Sequence, residues 1–387
     1  YPANITYDQV RVEEIAIRTK GQSSLNGPVN MGSDRFSFKL DMNKYVSGQT
    51  LLGEKALSIN NGFKDPSFMH EFLAYNLLRE FMPAPRMAWA NFTINDEYMG
   101  LYTVVERMDK TFIEKNFPKD YEGDLYKLSP PSGTLIWAGP SISDYPGVTL
   151  ETNEDDSDGQ AFVDFVNVLN FNATTAELSR VLDVDGALAY IAVNELLVNL
   201  DSAIGDGNNF FLYEQDGFIT VLPWDMNESF GDYTCNLSSQ DLIQMPIYEP
   251  PCPNTPNLPL ITNLLAIPSY KAAYNDKIIS MLTGAFNPNT LTPLIVNMAN
   301  IIRPFVYNDP KKFYTNQQFE CAVAVSGTTS TSGATPTPSP VKERAFATPA
   351  PQASGTPPPQ GSPPPQGGPP PQGGGGDPCS NLNLHDF

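Results

Sequence analysis

The sequence predicts an α+β fold of two lobes followed by a disordered tail, and three observations lead to this prediction. Alternating, β-branched segments dominate roughly the first hundred positions. Helical apolar patterns dominate the later positions, up to about residue 320. The composition then changes to proline, glycine, serine and threonine, and Pro-Pro-Pro-Gln-Gly occurs three times with a period of six residues. Such a segment buries too little surface to offset its loss of backbone entropy.

Residues 1–108 are predicted to form the smaller lobe, which is rich in strands. A polar, glycine-bounded loop over 21–27 is expected between its first two strands, since that stretch has no strand alternation. Ser67 is expected to cap a helix that Pro83 ends. The predicted elements are strands over 10–19, 35–40 and 55–59, a helix over 67–81, and a hairpin of 87–94 with 98–106.

Residues 109–325 are predicted to form the larger, mostly helical lobe. A polar loop over 201–209 follows its most apolar helix, and a hairpin that turns at Asp216-Gly217 then leads the chain to Asp225. The predicted elements are helices over 111–116, 160–170 and 183–200, and hairpin strands over 210–213 and 218–222.

Residues 326–387 are predicted to be a disordered stalk that acts as a spacer. The chain begins with Tyr1 rather than Met, so we expect that a signal peptide has been removed. Five Asn-x-Ser/Thr sequons also fit a secreted protein. We therefore expect a secreted protein, located at the cell surface or in a spore or cell wall, and anchored to wall or lipid through the stalk.

Charge and hydropathy exclude two classes of partner. The net charge of −20 argues against nucleic acid, because phosphate binding needs a basic surface. No run of about 18 apolar residues occurs, so we expect no transmembrane segment.

Four cysteines allow three complete pairings. Cys235 with Cys252 closes the shortest loop, and we favour this pair. A zinc site is not expected, since Cys-x-x-Cys is absent and the sequence has two histidines.

The polar loop and the hairpin bring oxygen-bearing side chains to the ends of rigid elements. Asp201, Asn208 and Asn209 precede the hairpin, and Asp225 follows it. Oxygen ligands suit hard cations such as Mg²⁺, and protein kinases place a catalytic Asp, an amide and a metal-binding Asp in this order. The alternative is a polar loop that only caps the helix and the hairpin.

The first lobe adds a second kinase-like feature. Lys55 lies on a predicted strand and Glu71 on the helix that follows, in the order of the kinase lysine–glutamate pair that orients nucleotide phosphates. The alternative for both is a solvent-exposed side chain.

Several short segments, in this order, resemble the CotH kinase family over roughly residues 10–300. They are KGQSS at 20–24, SFKL at 37–40, DPSF at 65–68, NDEYMGLYTVVER at 95–107, GDLYK at 123–127, NLD at 199–201, NNFFLY at 208–213, PWD at 223–225 and FG at 230–231.

This resemblance implies an atypical protein-kinase-like fold and phosphoryl transfer from ATP to protein with Mg²⁺ or Mn²⁺. It implies that Asp201 is the catalytic base, that Asp225 binds the metal, and that Asn208 or Asn209 adds a second ligand.

The resemblance also implies a nucleotide site in the first lobe. Gly21, Ser23 and Ser24 would cover the phosphates, and Glu106 would lie where a kinase hinge grips adenine through backbone groups. The phosphate lysine is ambiguous: Lys55 fits the kinase order, whereas Lys39 lies in the more recognisable segment.

One position departs from the family pattern. The family usually has Asp-x-Asp where this chain has Asp225-Met-Asn227, so one negative charge at the metal site is lost. Asn227 also begins a sequon, and an active site would require it to be buried and unmodified. The partner is expected to be a protein substrate. Alternatives are a fungal surface adhesin or invasin that binds a host-cell receptor, and a structural wall or coat protein.

Overall fold

The computed structural model describes residues 1–119, 121–255 and 257–324, and it confirms the α+β class. The predicted stalk over 326–387 lies outside the described residues. The strands are β1 (Pro2–Tyr7), β2 (Val10–Lys20), β3 (Ser37–Asp41), β4 (Ala56–Asn60), β5 (Met87–Ile94), β6 (Glu97–Glu106), β7 (Asp124–Leu128), β8 (Val148–Leu150), β9 (Phe210–Gln215) and β10 (Phe218–Pro223). The helices are α1 (Ser23–Asn30), α2 (His70–Leu78), α3 (Lys110–Asn116), α4 (Gln160–Phe171), α5 (Thr175–Val181), α6 (Val184–Leu196), α7 (Ser239–Ile243), α8 (Pro259–Leu265), α9 (Pro268–Thr283), α10 (Pro288–Asn308) and α11 (Asn316–Ala322).

The first sheet has one apolar face and one polar face. Its strand order is β1-β2-β3-β4-β6-β5, with all neighbours antiparallel. Phe38 and Ile59 pair across β3 and β4 and pack in an apolar cluster. Because side chains alternate along a strand, their neighbours Lys39 and Asn60 face the opposite side. That polar face forms the roof of a cleft.

The second sheet has the order β10-β9-β7-β8 and separates two apolar clusters. Tyr126 and Leu128 of β7 pack with α4, α6, α8 and α9 in the larger cluster. Leu125, on the other face, packs with Trp224 and α3. The predicted turn at Asp216-Gly217 is confirmed, with both residues at positive φ.

The helices α10 and α11 return to the first sheet and pack against α2 and β6. A buried ion pair fixes this return: Arg35 Nη1 lies 2.8 Å from Asp309 Oδ2, and both side chains are fully buried. The same guanidinium donates to the carbonyl groups of Asn61, Met99 and Leu101. The C-terminal helices are therefore part of the framework of the first sheet.

The predicted loop over 21–27 is wrong, because α1 begins at Ser23. Gly27 and Pro28 argue against a helix, yet both fit here. Pro28 has no N–H for the Ser24 carbonyl, and Asn61 Nδ2 donates to that carbonyl instead, at 3.0 Å. A Cβ at Gly27 would overlap the ring of Phe63.

The helix that was expected to begin at Ser67 begins at His70 instead. Asp65 accepts hydrogen bonds from Ser67 N and Oγ and from His70 N, so residues 65–69 form a separate turn. The strands β1, β7 and β8 were not predicted.

The favoured cysteine pair is confirmed, since Cys235 is bonded to Cys252. Cys321 is also disulfide-bonded, and Cys379 lies outside the described residues. Within the described part of the chain, no helix combines the length and the apolar character needed to cross a membrane.

Candidate active site

A cavity of about 430 Å³ lies between the polar face of the first sheet and the loops that flank the β9–β10 hairpin. The first sheet contributes Lys20, Ser37, Asn60 and Thr103, and the loops contribute Asp201, Asn208, Asn209, Asp225 and Asn227. Of the predicted nucleotide site, Glu71, Gly21, Ser23 and Ser24 line the same cavity.

A polar network on the first-sheet side of the cavity centres on Glu71. Lys20 Nζ donates to Asn60 Oδ1 at 2.7 Å, and Asn60 Nδ2 donates to both carboxylate oxygens of Glu71, at 3.0 and 2.8 Å. Thr103 Oγ1 lies 3.3 Å from Glu71 Oε2. Strand register explains this grouping, because Lys20 pairs with Ser37 and Asn60 pairs with Thr103 on the same face.

This network corrects the predicted Lys55–Glu71 pair. Glu71 contacts Asn60, the last residue of β4, whereas Lys55 precedes the first residue of that strand. Five residues of strand span about 17 Å, so Lys55 is at the wrong end of β4 and does not line the cavity. The lysine beside Glu71 is Lys20.

Lys39 lies on the same sheet face as Lys20 but does not line the cavity. Its ammonium is 3.8 Å from Asp41, and both side chains are about a quarter exposed, at 24% and 28%. Neither Lys55 nor Lys39 lines the cavity, and which lysine contacts phosphate stays a prediction.

The segment predicted to cover phosphates does line the cavity. Gly21, Ser23 and Ser24 lie at the N-terminal end of α1. Gly21 has φ +95°, and a Cβ at this position would overlap Ser24 Oγ. A glycine is required here because the backbone turns sharply between Lys20 and α1.

The opposite wall holds Asp201 between two amides. Its Oδ1 accepts from Asn208 Nδ2 at 2.9 Å, and its Oδ2 accepts from Asn209 Nδ2 at 2.7 Å. Burial raises the pKa of Asp201 to about 7, and the hydrogen bond from Asn208 opposes this shift. Asp201 can therefore gain or lose a proton near neutral pH.

Asp225 follows β10 and adopts a left-handed backbone conformation, with φ 54°. Its backbone N–H donates to the hydroxyl of Tyr75 on α2, at 3.0 Å. This contact ties the Asp225 loop to the helix that carries Glu71. Burial, followed by the charge of Asp225, raises the pKa of Glu71 to about 7, while Lys20 opposes the shift.

The cavity has an excess of negative groups. Its lining includes the two lysines Lys20 and Lys64, and Lys64 is paired with Glu228 at 2.8 Å. Burial lowers the pKa of Lys20, and the charges of Asp225 and Glu71 offset part of that effect. The carboxyl groups in the lining are Asp65, Glu71, Asp201, Asp225 and Glu228.

The donor set fits a hard cation. Asn208 and Asn209 donate their Nδ2 groups to Asp201, so the oxygen Oδ1 is the atom that each has available for a metal. Asp225 supplies the carboxylate. Within residues 1–119, 121–255 and 257–324, no group of three or more His, Cys, Asp or Glu side chains is arranged to hold a metal. Any metal here would therefore need the amide oxygens as well.

Comparisons with known proteins assign the chain to a family. The model of the family described as CotH kinase protein matches residues 17–331. This chain belongs to the CotH kinase family. The chain is 23% identical over 287 residues to the inner spore coat protein H of Bacillus subtilis (strain 168). The match covers 71% of this chain and 75% of that protein.

A similar solved structure is that of the Shewanella oneidensis MR-1 toxin–antitoxin system HipA and HipB with its operator DNA. The sequence identity is 12% and the TM-score is 0.23; the match covers 68% of this chain and 59% of the solved chain.

Glu106, predicted to lie at a kinase-like hinge, belongs to a strand instead. It is the last residue of β6, its backbone N–H donates to the Arg86 carbonyl, and it does not line the cavity. Its carboxylate accepts hydrogen bonds from Arg86 and Lys115, which lower its pKa against the effect of burial. These contacts give Glu106 a role in joining β6 to α3.

Asn227, where the CotH pattern usually has Asp, lies in the cavity wall on a 3₁₀ turn, Met226–Glu228. It is half-buried, and Ser229 of its sequon is fully buried.

Sequence reasoning missed Lys20 as the lysine, as well as Asn60, Thr103 and Tyr75. Lys20 lies in the recognisable KGQSS segment, so its position there was an available signal. Asn60 and Thr103 become visible only when the strand register is known.

Proposed function

We propose that this chain is an ATP-dependent protein kinase with an atypical, two-lobed kinase-like fold. The observation that carries the proposal is that Lys20, Glu71, Asp201 and Asp225 line one cavity. Kinases need a lysine and a helix glutamate on one side of the nucleotide, and a catalytic Asp and a metal-binding Asp on the other. The strand-rich first part of the chain and the mostly helical part that follows favour two lobes, with α10 and α11 returning to pack on the first sheet.

The lysine–glutamate arrangement differs from the usual one. Kinases pair a β3 lysine directly with the glutamate of the following helix. Here Asn60 contacts Glu71, and the lysine comes from the strand before the glycine-containing segment. Lys20 would bind phosphate oxygens, with Asn60 holding its ammonium in place.

On the other wall, Asp201 would accept the proton of a substrate hydroxyl as that oxygen attacks the terminal phosphorus of ATP. The leaving group is ADP. Asn208 and Asn209 hold both carboxylate oxygens of Asp201, which fixes the orientation of the base. A pKa of about 7 suits this role near neutral pH.

A bound Mg²⁺ or Mn²⁺ would neutralise phosphate charge, and Asp225 with the amide oxygens of Asn208, Asn209 and Asn227 would hold it. The cavity lining has five carboxyl groups against two lysines, so ATP without a metal should be repelled. Nucleotide binding is therefore expected to depend strictly on the metal.

The test combines thermal stabilisation with transfer of the labelled γ-phosphate of ATP to protein. ATP with Mn²⁺ should raise the melting temperature, and ATP alone should not. Asp225→Asn should lower the transfer rate by about 10²–10³-fold or more, and Lys20→Ala by at least about tenfold, because each removes charge stabilisation of the transferred group.

Lys55→Ala is the matched control, since Lys55 lies outside the cavity. Its transfer rate should stay within about twofold of the parent, as is usual for a surface change. The kinase proposal fails if ATP with metal gives no shift, or if Asp225→Asn transfers phosphate like the parent. Secretion, the stalk anchor and binding of a host receptor stay predictions.

A further inference from the structure

The helix α11 carries a cysteine whose disulfide partner is not among the other cysteines of the described residues. Cys235 and Cys252 are bonded to each other, so neither is available to a third cysteine. Cys321 is nevertheless disulfide-bonded. The whole sequence has four cysteines, and the fourth is Cys379. Within one molecule, Cys379 is therefore the cysteine that remains for Cys321.

The helix that carries Cys321 is firmly attached to the domain. Its N-terminus is closed by a capping box. Glu320, the residue before the cysteine, accepts hydrogen bonds from Arg303 Nε at 2.6 Å and from the Tyr307 hydroxyl at 2.8 Å, both on α10. Phe319 is fully buried in the apolar cluster that joins α10 and α11 to the first sheet. Cys321 is therefore a fixed anchor point, and it is buried, with 7% of its surface exposed.

The segment between the two cysteines is long and rich in proline and glycine. It comprises 57 residues, 322–378, and includes the three Pro-Pro-Pro-Gln-Gly repeats. As an open flexible chain, a segment of this length has a root-mean-square end-to-end distance of about 40 Å, and a polyproline II conformation extends it further. A disulfide instead holds its two Cα atoms about 6 Å apart. A bond between Cys321 and Cys379 would therefore return the far end of the segment to α11.

We propose that Cys321 and Cys379 form a disulfide that closes residues 322–378 into a loop anchored on α11. The two thiols lose two protons and two electrons, and a disulfide donor such as oxidised glutathione takes them up and leaves as two thiols. The repeats are then displayed as a closed loop rather than as an extended spacer. Any group joined to the chain after Cys379 is held beside α11. This inference does not rest on the proposed kinase activity, because no residue of the cavity takes part.

The bond is tested by tryptic digestion of the unreduced full chain, after free thiols have been alkylated, followed by mass spectrometry. Trypsin cuts after lysine and arginine, which places Cys321 on the peptide 313–342 and Cys379 on the peptide 345–387. The two peptides should be recovered as one cross-linked species that separates on reduction. A cut inside the loop should therefore open it without releasing the end of the chain.

The known pair serves as the internal control. Cys235 and Cys252 lie on a single tryptic peptide, 181–271, so reduction should add two hydrogens to it without splitting it. The proposal is overturned if Cys321 is recovered alkylated, or if the peptide 313–342 is linked to a second copy of itself. The second result would assign Cys321 to an interface between two copies of the chain.

The effect on reach is tested by small-angle X-ray scattering of the monomeric full chain. Cys379→Ser opens the loop, so the maximum dimension should rise by about 20 Å or more. Ser380→Ala is the matched control, since it changes the neighbouring residue and keeps both cysteines; its maximum dimension should equal that of the parent. Equal dimensions of the parent and Cys379→Ser would show that the segment is not closed on α11.

Discussion

Two charged networks, one on each side of Asn61, differ in how completely their polar groups are paired. Arg35 and Asp309 are fully buried, and the guanidinium also donates to three carbonyl groups. Asp309 further accepts from the backbone N–H groups of Leu101 and Lys311. In contrast, Glu71 of the cavity network reaches Lys20 only through Asn60.

The two networks are suited to different roles, one to holding the fold together and the other to changes of charge. Complete pairing stabilises an ion pair in one ionisation state, which suits a structural joint. Burial and the charge of Asp225 raise the pKa of Glu71 to about 7, against the effects of Lys20 and of the hydrogen bonds from Asn60 and Thr103. Such a group is poised to respond to an incoming cation or phosphate.

The largest expected effect on stability comes from breaking the buried Arg35–Asp309 ion pair. Asp309→Ala leaves Arg35 charged and buried without its partner, so the free energy of unfolding should fall by about 3–5 kcal/mol. Denaturant unfolding at neutral pH measures this change.

Asp34→Ala is the control, because Asp34 pairs with Lys311 while 64% exposed. It should cost less than about 1 kcal/mol. Equal effects of the two variants would contradict the contrast between the two networks.

A smaller effect is expected from pH on the cavity network. The folded-state pKa of Glu71 is raised to about 7, so the folded state keeps a proton that the unfolded chain loses near pH 4.5. Stability should therefore fall as pH rises from about 5 to 7. Glu71→Gln should reduce that slope by up to about 1.4 kcal/mol per pH unit, since one titrating group is removed.

Denaturant unfolding at several pH values tests this, with the exposed Glu97→Gln as the control. The Glu71→Gln variant should still lose some stability as pH rises, because burial also raises the pKa of Asp201 to about 7 and that of Glu195 to about 8. An unchanged slope in Glu71→Gln would show that Glu71 is ionised well below pH 7.

The smallest effect concerns the charge missing at Asn227. Asn227→Asp restores the usual family residue, and the added carboxylate should raise Mn²⁺ affinity by about tenfold or less. Calorimetric titration with Mn²⁺ measures it, and the exposed Asn172→Asp controls for the change in net charge. If both variants bind Mn²⁺ like the parent, Asn227 does not contact the metal.

The sequence predicted the local part of the candidate site and missed the part that depends on strand register. Asp201, Asn208, Asn209 and Asp225 lie within 25 residues, and one loop and one hairpin suffice to bring them together. Lys20 lies 51 positions from Glu71, and only the register of three strands shows that it is the neighbouring lysine.

The helix α1 was missed for a similar reason. Local propensity disfavours a helix that contains Gly27 and Pro28. The carbonyl that Pro28 leaves without a partner accepts a hydrogen bond from Asn61, the residue directly after β4. Tertiary contacts of this kind override local preference, and they cannot be read from residues 21–30 alone.

The return of α10 and α11 to the first sheet has a mechanical consequence. A load applied to the chain beyond α11 would arrive first at the Arg35–Asp309 joint and at the apolar contacts of Phe319 with the first sheet. The load would not pass through the helices α4 to α9. A domain tethered through this end would therefore resist shear at the first sheet.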